Sequence, residues 1–596
     1  MKKLALVLAV VMVLSLGLTA CGGSTSSTGT ASSAPAGSSS SGSASDAAPA
    51  YNPDALQVKA LDDNTLQVTL TARTPYFLEL TAFPAYAPVQ QATVEANGEA
   101  WAVDAATYIG NGPYKIAEWV PSSHITMVKN ENYWNVDSLA GPDTLQFTLM
   151  EDDAAQLTAF QSGELDFIDT VPNDEIDALS STPEFYKEGQ IGTYYVSYNT
   201  QAAPFDDPLV RQAFTLAVDR DYICKQIGKS GQIPAGAFVS EGLSDAAEGS
   251  SFREVGGDYY DPTAGANEAN LAKAKELLAE AGYPNGEGLP TITYLYNEGT
   301  AHQQVGEALQ QMWGQLGATV TLESQEWATF LNTRKNGDYQ VARNGWLGDY
   351  NDPISFLDMW ITGGGNNDAQ WSNAEFDSLI KQIKSSGDAE ARMEMMHQAE
   401  DIIFDEWMLC PIYYYVDIYM AQQNLENLST SPLGFKFFMN ASNGTDTLKV
   451  CTGPDPDTID PALNSAVDGG TMIDHAFEGL YTVAYGTTPT PGQAESVEIS
   501  EDGLTYTFHL REGLKWSDGT PLTAHDFVYS WQRAVDPATG ADYAYMFECI
   551  AGYTEAINGE EYVAPAADAS SASTSESAAE SVSASTSESA STSAAA

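Results

Sequence analysis

"TITYLYNEGTAHQQVGEALQQMWGQLGATVTLESQ", Thr291 to Gln325, decides the fold class. "TITYLYN" reads as a strand. "HQQVGEALQQMWGQLG" puts Val305, Leu309, Met312, Trp313 and Leu316 on one helical stripe and ends at Gly317, and "ATVTLESQ" is a second strand. A strand, helix, strand order pairs its strands in parallel, so the middle of the chain is α/β. Outward from there, "NEANLAKAKELLAEAGY" is a helix starting at a polar residue near Asn267 and stopping at Gly282. Both ends of the chain are hairpin-rich. "LQVKALDDNTLQVTLTA" alternates on either side of Asp62-Asp63-Asn64, and "LTYTFHLREGLKW" places Tyr506, Phe508 and Leu510 on one face.

At 596 residues the chain exceeds one ordinary domain, so two lobes or more are expected. Its 25 Lys and Arg against 81 Asp and Glu give a net charge of -56, which repels a polyphosphate and excludes nucleic acid as a partner. "MKKLALVLAVVMVLSLGLTAC" carries Lys2 and Lys3, an apolar run and small residues ending at Cys21, the pattern of an export signal. Residues 22–50 and the Ser-rich stretch from residue 565 onward lack the apolar side chains needed to order themselves. Cys224, Cys410, Cys451 and Cys549 lie far apart, form no C-x-x-C pair and suggest no zinc or redox site.

Motif chemistry is absent. The histidines form no H-E-x-x-H, "PDPDTIDP" lacks the glycine and distal glutamate of a calcium loop, and there is no G-x-S-x-G. No metal, cofactor or catalytic residue is expected. A surface hydrolase acting on peptides or glycans stays open, because carboxylate pairs leave no short signature. An adhesin or chaperone-like lipoprotein stays open as well.

"GWLGDYNDPISFL", Gly345 to Leu357, sets Asp349 between Trp346 and Tyr350. "YQVARNGW" before it reads as a strand, and ligands of open α/β layers collect outside the carboxyl ends of strands. If the extended course continues, Arg343, Gly345, Leu347 and Asp349 face one way. A cation and an anion would then stand at most roughly 20 Å apart on one edge, at about 3.3 Å per residue. Between them the main chain of Gly345 and Leu347 is free to pair with an extended peptide. Asp352 before Pro353 reads as a helix N-cap with Pro353 at the first helical position. Asp349 is a solvated loop acid, the partner of an internal cation, or a ligand group. Spacing does not decide among these.

"GWLGDYNDPISFL", "QEWATFLNTRKNGDYQVARNGW", "LKWSDGTPLTAHDFVYSWQRAVDP", "NGPYKIAEW" and "AFTLAVDRDYI" together resemble the oligopeptide-binding proteins of ABC importers. The resemblance implies an α/β, two-lobed periplasmic-binding-protein-like fold with an extra mixed α+β domain on the first lobe, closing on short peptides. It also implies a monomer that delivers peptides to an ABC permease and makes or breaks no bond. By the same likeness Asp349 receives the peptide α-amino group, while Arg343 and His302 engage its carboxyl end. Gly345 and Leu347 supply main-chain contacts, and Trp346 and Trp327 line side-chain pockets. Leu347 and Gly348 depart from members that carry a cysteine and an alanine there. Leu18-Thr19-Ala20-Cys21 is similar to a bacterial lipobox, implying Cys21 as a lipid anchor on the outer face of the cell membrane.

The family order is rotated. "DTLKVCTGPDPDTIDPALNSAVDGG", similar to the family's opening, follows "PLGFKFFMN", similar to its close, through "ASNGT" at Ala441 to Thr445. This reads as a circular permutation cut in a loop of the extra domain, or as a misjoined record. The expected organisation is a signal peptide over 1–20, lipidated Cys21 and linker over 21–50, and extra domain over 51–109. First lobe over 110–234, second lobe over 235–412 and the remaining first lobe over 413–488 come next. The rest of the extra domain over 489–564 and a tail over 565–596 complete it. The strands near Val58 and Val68 are accordingly expected to share a sheet with those near Phe508.

Overall fold

A computed structural model describes residues 50–564, apart from Glu248 and residues 485–487. The expected signal peptide, Cys21, linker and Ser-rich tail lie outside the described residues. Along the chain, β1 (Val58–Asp62) and β2 (Thr65–Thr69) form the first hairpin. They are followed by β3 (Tyr114–Val120), β4 (His124–Lys129), β5 (Thr144–Leu149), β6 (Phe167–Ile168), the long β7 (Phe185–Tyr198) and the short β8 (Ile233–Pro234). The α/β middle supplies β9 (Ile292–Asn297), β10 (Val320–Gln325) and β11 (Val341–Leu347). Then come β12 (Leu409–Ala421), β13 (Ser429–Thr430), β14 (Lys436–Phe437) and β15 (Thr447–Gly453). The last are β16 (Tyr481–Thr482), β17 (Thr490–Pro491), β18 (Ala494–Ile499) and β19 (Thr505–Leu510).

The strand, helix, strand reading holds. β9 and β10 pair in parallel from Ile292↔Val320 to Asn297↔Gln325, and the helix Thr300–Gly314 between them buries Val305, Leu309, Met312 and Trp313. The helix Asn267–Glu280 is also present, but its cap is Ala266 rather than a polar residue. A 3-10 turn, Ala264–Ala266, runs straight into it, so the entering chain is already coiled and needs no side-chain cap.

One 11-stranded sheet has the order β10-β9-β11-β7-β12-β6-β15-β5-β4-β3, with β8 attached to β12. Its two halves are made continuous by β7 and β12, which pair antiparallel from Leu409↔Ser197 to Met420↔Phe185. The register shifts between Pro411 and Tyr413 and again between Tyr414 and Val416. Such shifts re-aim side chains, and Tyr413 and Tyr415 of this stretch enter the site described below.

A separate sheet has the order β1-β2-β19-β18. β2 pairs with β19 from Thr65↔His509 to Thr69↔Thr505, so strands from opposite ends of the chain share one sheet, as expected. Alternation puts Leu66, Val68 and Phe508 into a common core with no exposed area. The helix Ala524–Val535 covers this sheet and starts with a capping box formed by Thr523 and Asp526. Near the two limits of the described residues, Asn52 N–H donates to the Ala556 carbonyl at 2.9 Å, and the Asn52 side-chain amide donates to the Glu560 carbonyl at 2.6 Å.

Cys224, Cys410, Cys451 and Cys549 are free and buried. Among the described residues no helix is long and apolar enough to cross a membrane.

Candidate ligand-binding site

β11 is the strand on which the site is built. It makes a full ladder with β7, from Val341↔Tyr198 to Leu347↔Gly192, but meets β9 only at Val341 and Ala342. Beyond Ala342 the β9 side of β11 therefore has no ladder partner among the described residues. Asn344 and Trp346 are buried on one face, while Arg343, Gly345 and Leu347 on the other line a cavity of about 500 Å³. Gly348, Asp349, His302, Trp327 and Trp346 line it too, so the seven residues that the resemblance assigns to the ligand meet at one cavity. A side chain at Gly345 would collide with the Tyr415 hydroxyl, so glycine lets β12 approach there.

The extended course ends at Leu347 rather than continuing to Asp349. Gly348 N–H still donates to Ile191 of β7 at 3.0 Å, but Asp349 N–H donates to the Ser355 hydroxyl oxygen at 2.8 Å and turns the chain out of the sheet. A short helix, Ile354–Leu357, follows, so Pro353 sits at the cap instead of the first helical position. Asp352 accepts Ile354 N–H at 3.0 Å, and the same carboxylate is held bidentately by Arg392 at 2.7 and 2.8 Å. Arg392 also lies over Tyr76, whose ring stacks on Tyr350 at 4.6 Å. Trp346 Nε1 donates to the Ser355 carbonyl at 2.8 Å. The loop is thus pinned on several sides.

Asp349 is treated differently from Asp352. Its Oδ1 accepts the Tyr543 hydroxyl at 2.9 Å and its Oδ2 the Ser355 hydroxyl at 3.3 Å. Among the described residues no cation pairs with it. Its remaining exposed surface belongs to the cavity wall. Burial raises its carboxyl well above the ordinary range, and the hydroxyl donors offset this only partly. Burial, then the Asp349 charge, holds the Tyr543 phenol well above its usual value, so it stays a donor.

Arg343 is the mirror case. Its guanidinium lies 5.2 Å over the Tyr194 ring, its Nε is buried without a hydrogen-bond partner, and no carboxylate pairs with it among the described residues. His302 stacks beside Tyr194, with Nδ1 3.3 Å from the Tyr194 hydroxyl. Burial, reinforced by the Arg343 charge, pushes His302 well below the ordinary imidazole range, so the ring is neutral at pH 7. Trp327 stacks on Phe330 and lines the same cavity as Asp468.

Sequence reasoning missed the groups that complete this wall. Tyr543 lies 194 residues along the chain from Asp349. Lys436 is buried between Asp417 at 2.9 Å and Asp169 at 3.3 Å, and burial followed by the opposed effects of Lys436 and Asp417 leaves Asp169 raised. The alternation in "IYYYVDIYM" foretells that Tyr413, Tyr415 and Asp417 share a face, but nothing local marks Tyr543 or Lys436.

A family profile described as "Bacterial extracellular solute-binding proteins, family 5 Middle" matches residues 27–368 and 488–586. The chain is 37% identical over 385 residues to the dipeptide-binding protein DppE of Bacillus subtilis, covering 64% of this chain and 69% of that one. It is 35% identical over 400 residues to the oligopeptide-binding protein OppA of the same organism, covering 65% and 71%. Haemophilus influenzae OppA in complex with RPPGFSPFR superposes with a TM-score of 0.57 at 29% identity, over 62% of this chain and 71% of that chain. The murein tripeptide binding protein MppA of Escherichia coli superposes with a TM-score of 0.57 at 30% identity, over 64% and 72%.

Because Asp349 carries a raised carboxyl in the folded chain and an ordinary one in the unfolded chain, its ionisation destabilises the ligand-free fold. That cost is absent below the unfolded pKa, grows as pH rises from the unfolded toward the raised folded value, and is complete above it. Asp349→Asn is therefore expected to raise the ligand-free Tm near neutral pH, with the gain shrinking under acid conditions. Scanning calorimetry of both proteins checks this, and an unchanged or lowered Tm at pH 7.5 contradicts it.

Proposed function

The chain belongs to the bacterial extracellular solute-binding proteins of family 5, and on that premise we propose that it captures short peptides between its two lobes and hands them to an ABC permease. The observation that carries this reading is Asp349, a carboxylate at a cavity wall with two hydroxyl donors and no cation. A peptide ammonium supplies the missing charge. Arg343, with His302 beside it, takes the terminal carboxylate, and the open edge at Gly345 and Leu347 accepts the peptide main chain. Trp346 and Trp327 border the side chains. The peptide-binding proteins among the relatives support the ligand class.

Each charge-assisted contact is worth about 1.5 to 3 kcal/mol, so Asp349→Asn should weaken tripeptide binding roughly 10- to 150-fold. An ammonium binds the ionised carboxylate, and the free carboxyl is raised, so affinity should fall as pH drops through that raised value. Calorimetry with Ala-Ala-Ala between pH 4.5 and 8 measures both effects. Undiminished affinity in Asp349→Asn, or a pH profile that the substitution leaves untouched, would remove Asp349 from this role.

Export and tethering rest on the sequence around Cys21. Cys21→Ser is expected to move the protein from the membrane fraction to the medium, and a variant that stays membrane-bound contradicts lipidation at this residue.

We also propose that the segment order is a circular permutation of the family's. The shared sheet of β2 and β19, the contacts of Asn52 with Ala556 and Glu560, and relatives aligned over about two thirds of each chain support this. A chain re-cut between Ser442 and Asp446, with Tyr562 linked to Tyr51, should fold with tripeptide affinity within about 2-fold of the original, given the adjacent ends. A re-cut chain that fails to fold counts against the permutation.

A further inference from the structure

A second cavity of about 690 Å³ adjoins the first, and Asp349 lines both, as do Phe83, Gln190, Tyr415 and Phe435. Its walls also carry Glu79, Glu241 and Asp474, and no lysine, arginine or histidine occurs among its described lining residues. The Asp474 carboxylate, on the helix Val467–Ala476, makes no side-chain hydrogen bond or ion pair with any described residue, and burial alone raises it well above the ordinary range. The Glu79 carboxylate accepts Asn351 N–H through Oε2 at 3.0 Å and has no other hydrogen-bond partner among the described residues, and burial raises it also. Glu241 is more exposed.

The remaining wall suits an aliphatic stem. Phe83, Pro84, Ile191, Tyr350 and Val483 present apolar surface, on which a lysine or arginine side chain lays its methylenes while its charged head reaches a carboxylate. Position fixes which residue of a ligand enters. Asp349 lines both cavities, so a ligand whose ammonium meets it has its first residue where the two adjoin. A neutral or acidic side chain there leaves Glu79 and Asp474 uncompensated, whereas a cationic one neutralises them in surroundings that water screens weakly.

Resting on the proposed peptide-capture reading, we infer that this cavity selects peptides whose first residue carries a cationic side chain, with Asp474 and Glu79 as the specificity-determining carboxylates. Asp349 is not counted among them, because it is committed to the main-chain ammonium. Asp474 and Glu79 act only on the side chain, so peptides without a first-residue cation bind independently of both.

Calorimetry with Lys-Ala-Ala, norleucine-Ala-Ala and Ala-Ala-Ala tests this, because norleucine keeps the stem and drops the ammonium. The lysine peptide is expected to bind about 10-fold or more tighter than the norleucine peptide, as one charge-assisted contact provides. In Asp474→Asn/Glu79→Gln that ratio should fall toward one, while Ala-Ala-Ala affinity stays within about 2-fold. The near-isosteric single variant Asp474→Asn, expected to lower the ratio partway, serves if the double variant melts early. Equal binding of the lysine and norleucine peptides by the unaltered protein overturns the inference and leaves peptide capture standing. A lysine preference that survives in both variants also overturns it. Failure of all these peptides to bind overturns both readings.

Discussion

A carboxylate set into a cavity wall without a counter-ion is the constraint around which this structure is arranged. Removing an ion from water costs several kcal/mol unless a partner charge compensates it. Most buried acids of this chain have that partner: Asp352 has Arg392, Glu400 has Arg253, Asp368 has Arg334 and Asp460 has Arg533. Asp349 lies three residues from Asp352 on the same loop and has only the hydroxyls of Tyr543 and Ser355. The fold carries a raised carboxyl there because Ser355, Trp346, Tyr350 and the Asp352–Arg392 pair fix the loop too firmly for the side chain to escape to water.

The sheet explains how one cavity gathers groups from distant segments. β7 and β12 run through both halves, so side chains of the Tyr413–Asp417 stretch reach the cavity opposite the free edge of β11. Lys436 and Asp169 arrive from the half built on β6 and β15, and His302 and Trp327 from the helices flanking β10. The segment after β19 adds Tyr543, whose neighbour Asp542 pairs with Lys335 of the helix Trp327–Lys335. The cavity wall is therefore assembled from segments spread along the chain.

Particular residues show what sequence reasoning reaches. Arg343, Gly345 and Leu347 were legible as one face because strand period alone puts them there, and the cavity receives that face. The helix after β9 was legible from its stripe. Pro353 was placed one position too far into its helix, since the Ser355 contact that sets the turn is not a pattern in the sequence. The partnerless state of Asp349 was not legible at all, and neither were Tyr543, Lys436 or the acidic second cavity.

By itself the sequence determined local matters: which stretches are strands or helices, which faces are apolar, the sign of the net charge, and the shared face of Arg343, Gly345 and Leu347. Those follow from periodicity and composition, which act between near neighbours along the chain. Only the tertiary structure decided which charges are paired and which are left facing a cavity. Compensation depends on separations of roughly 4 Å through space, and the groups that supply or withhold it here, Arg392 for Asp352 and Tyr543 for Asp349, are brought close by sheet pairing that joins segments far apart in the chain.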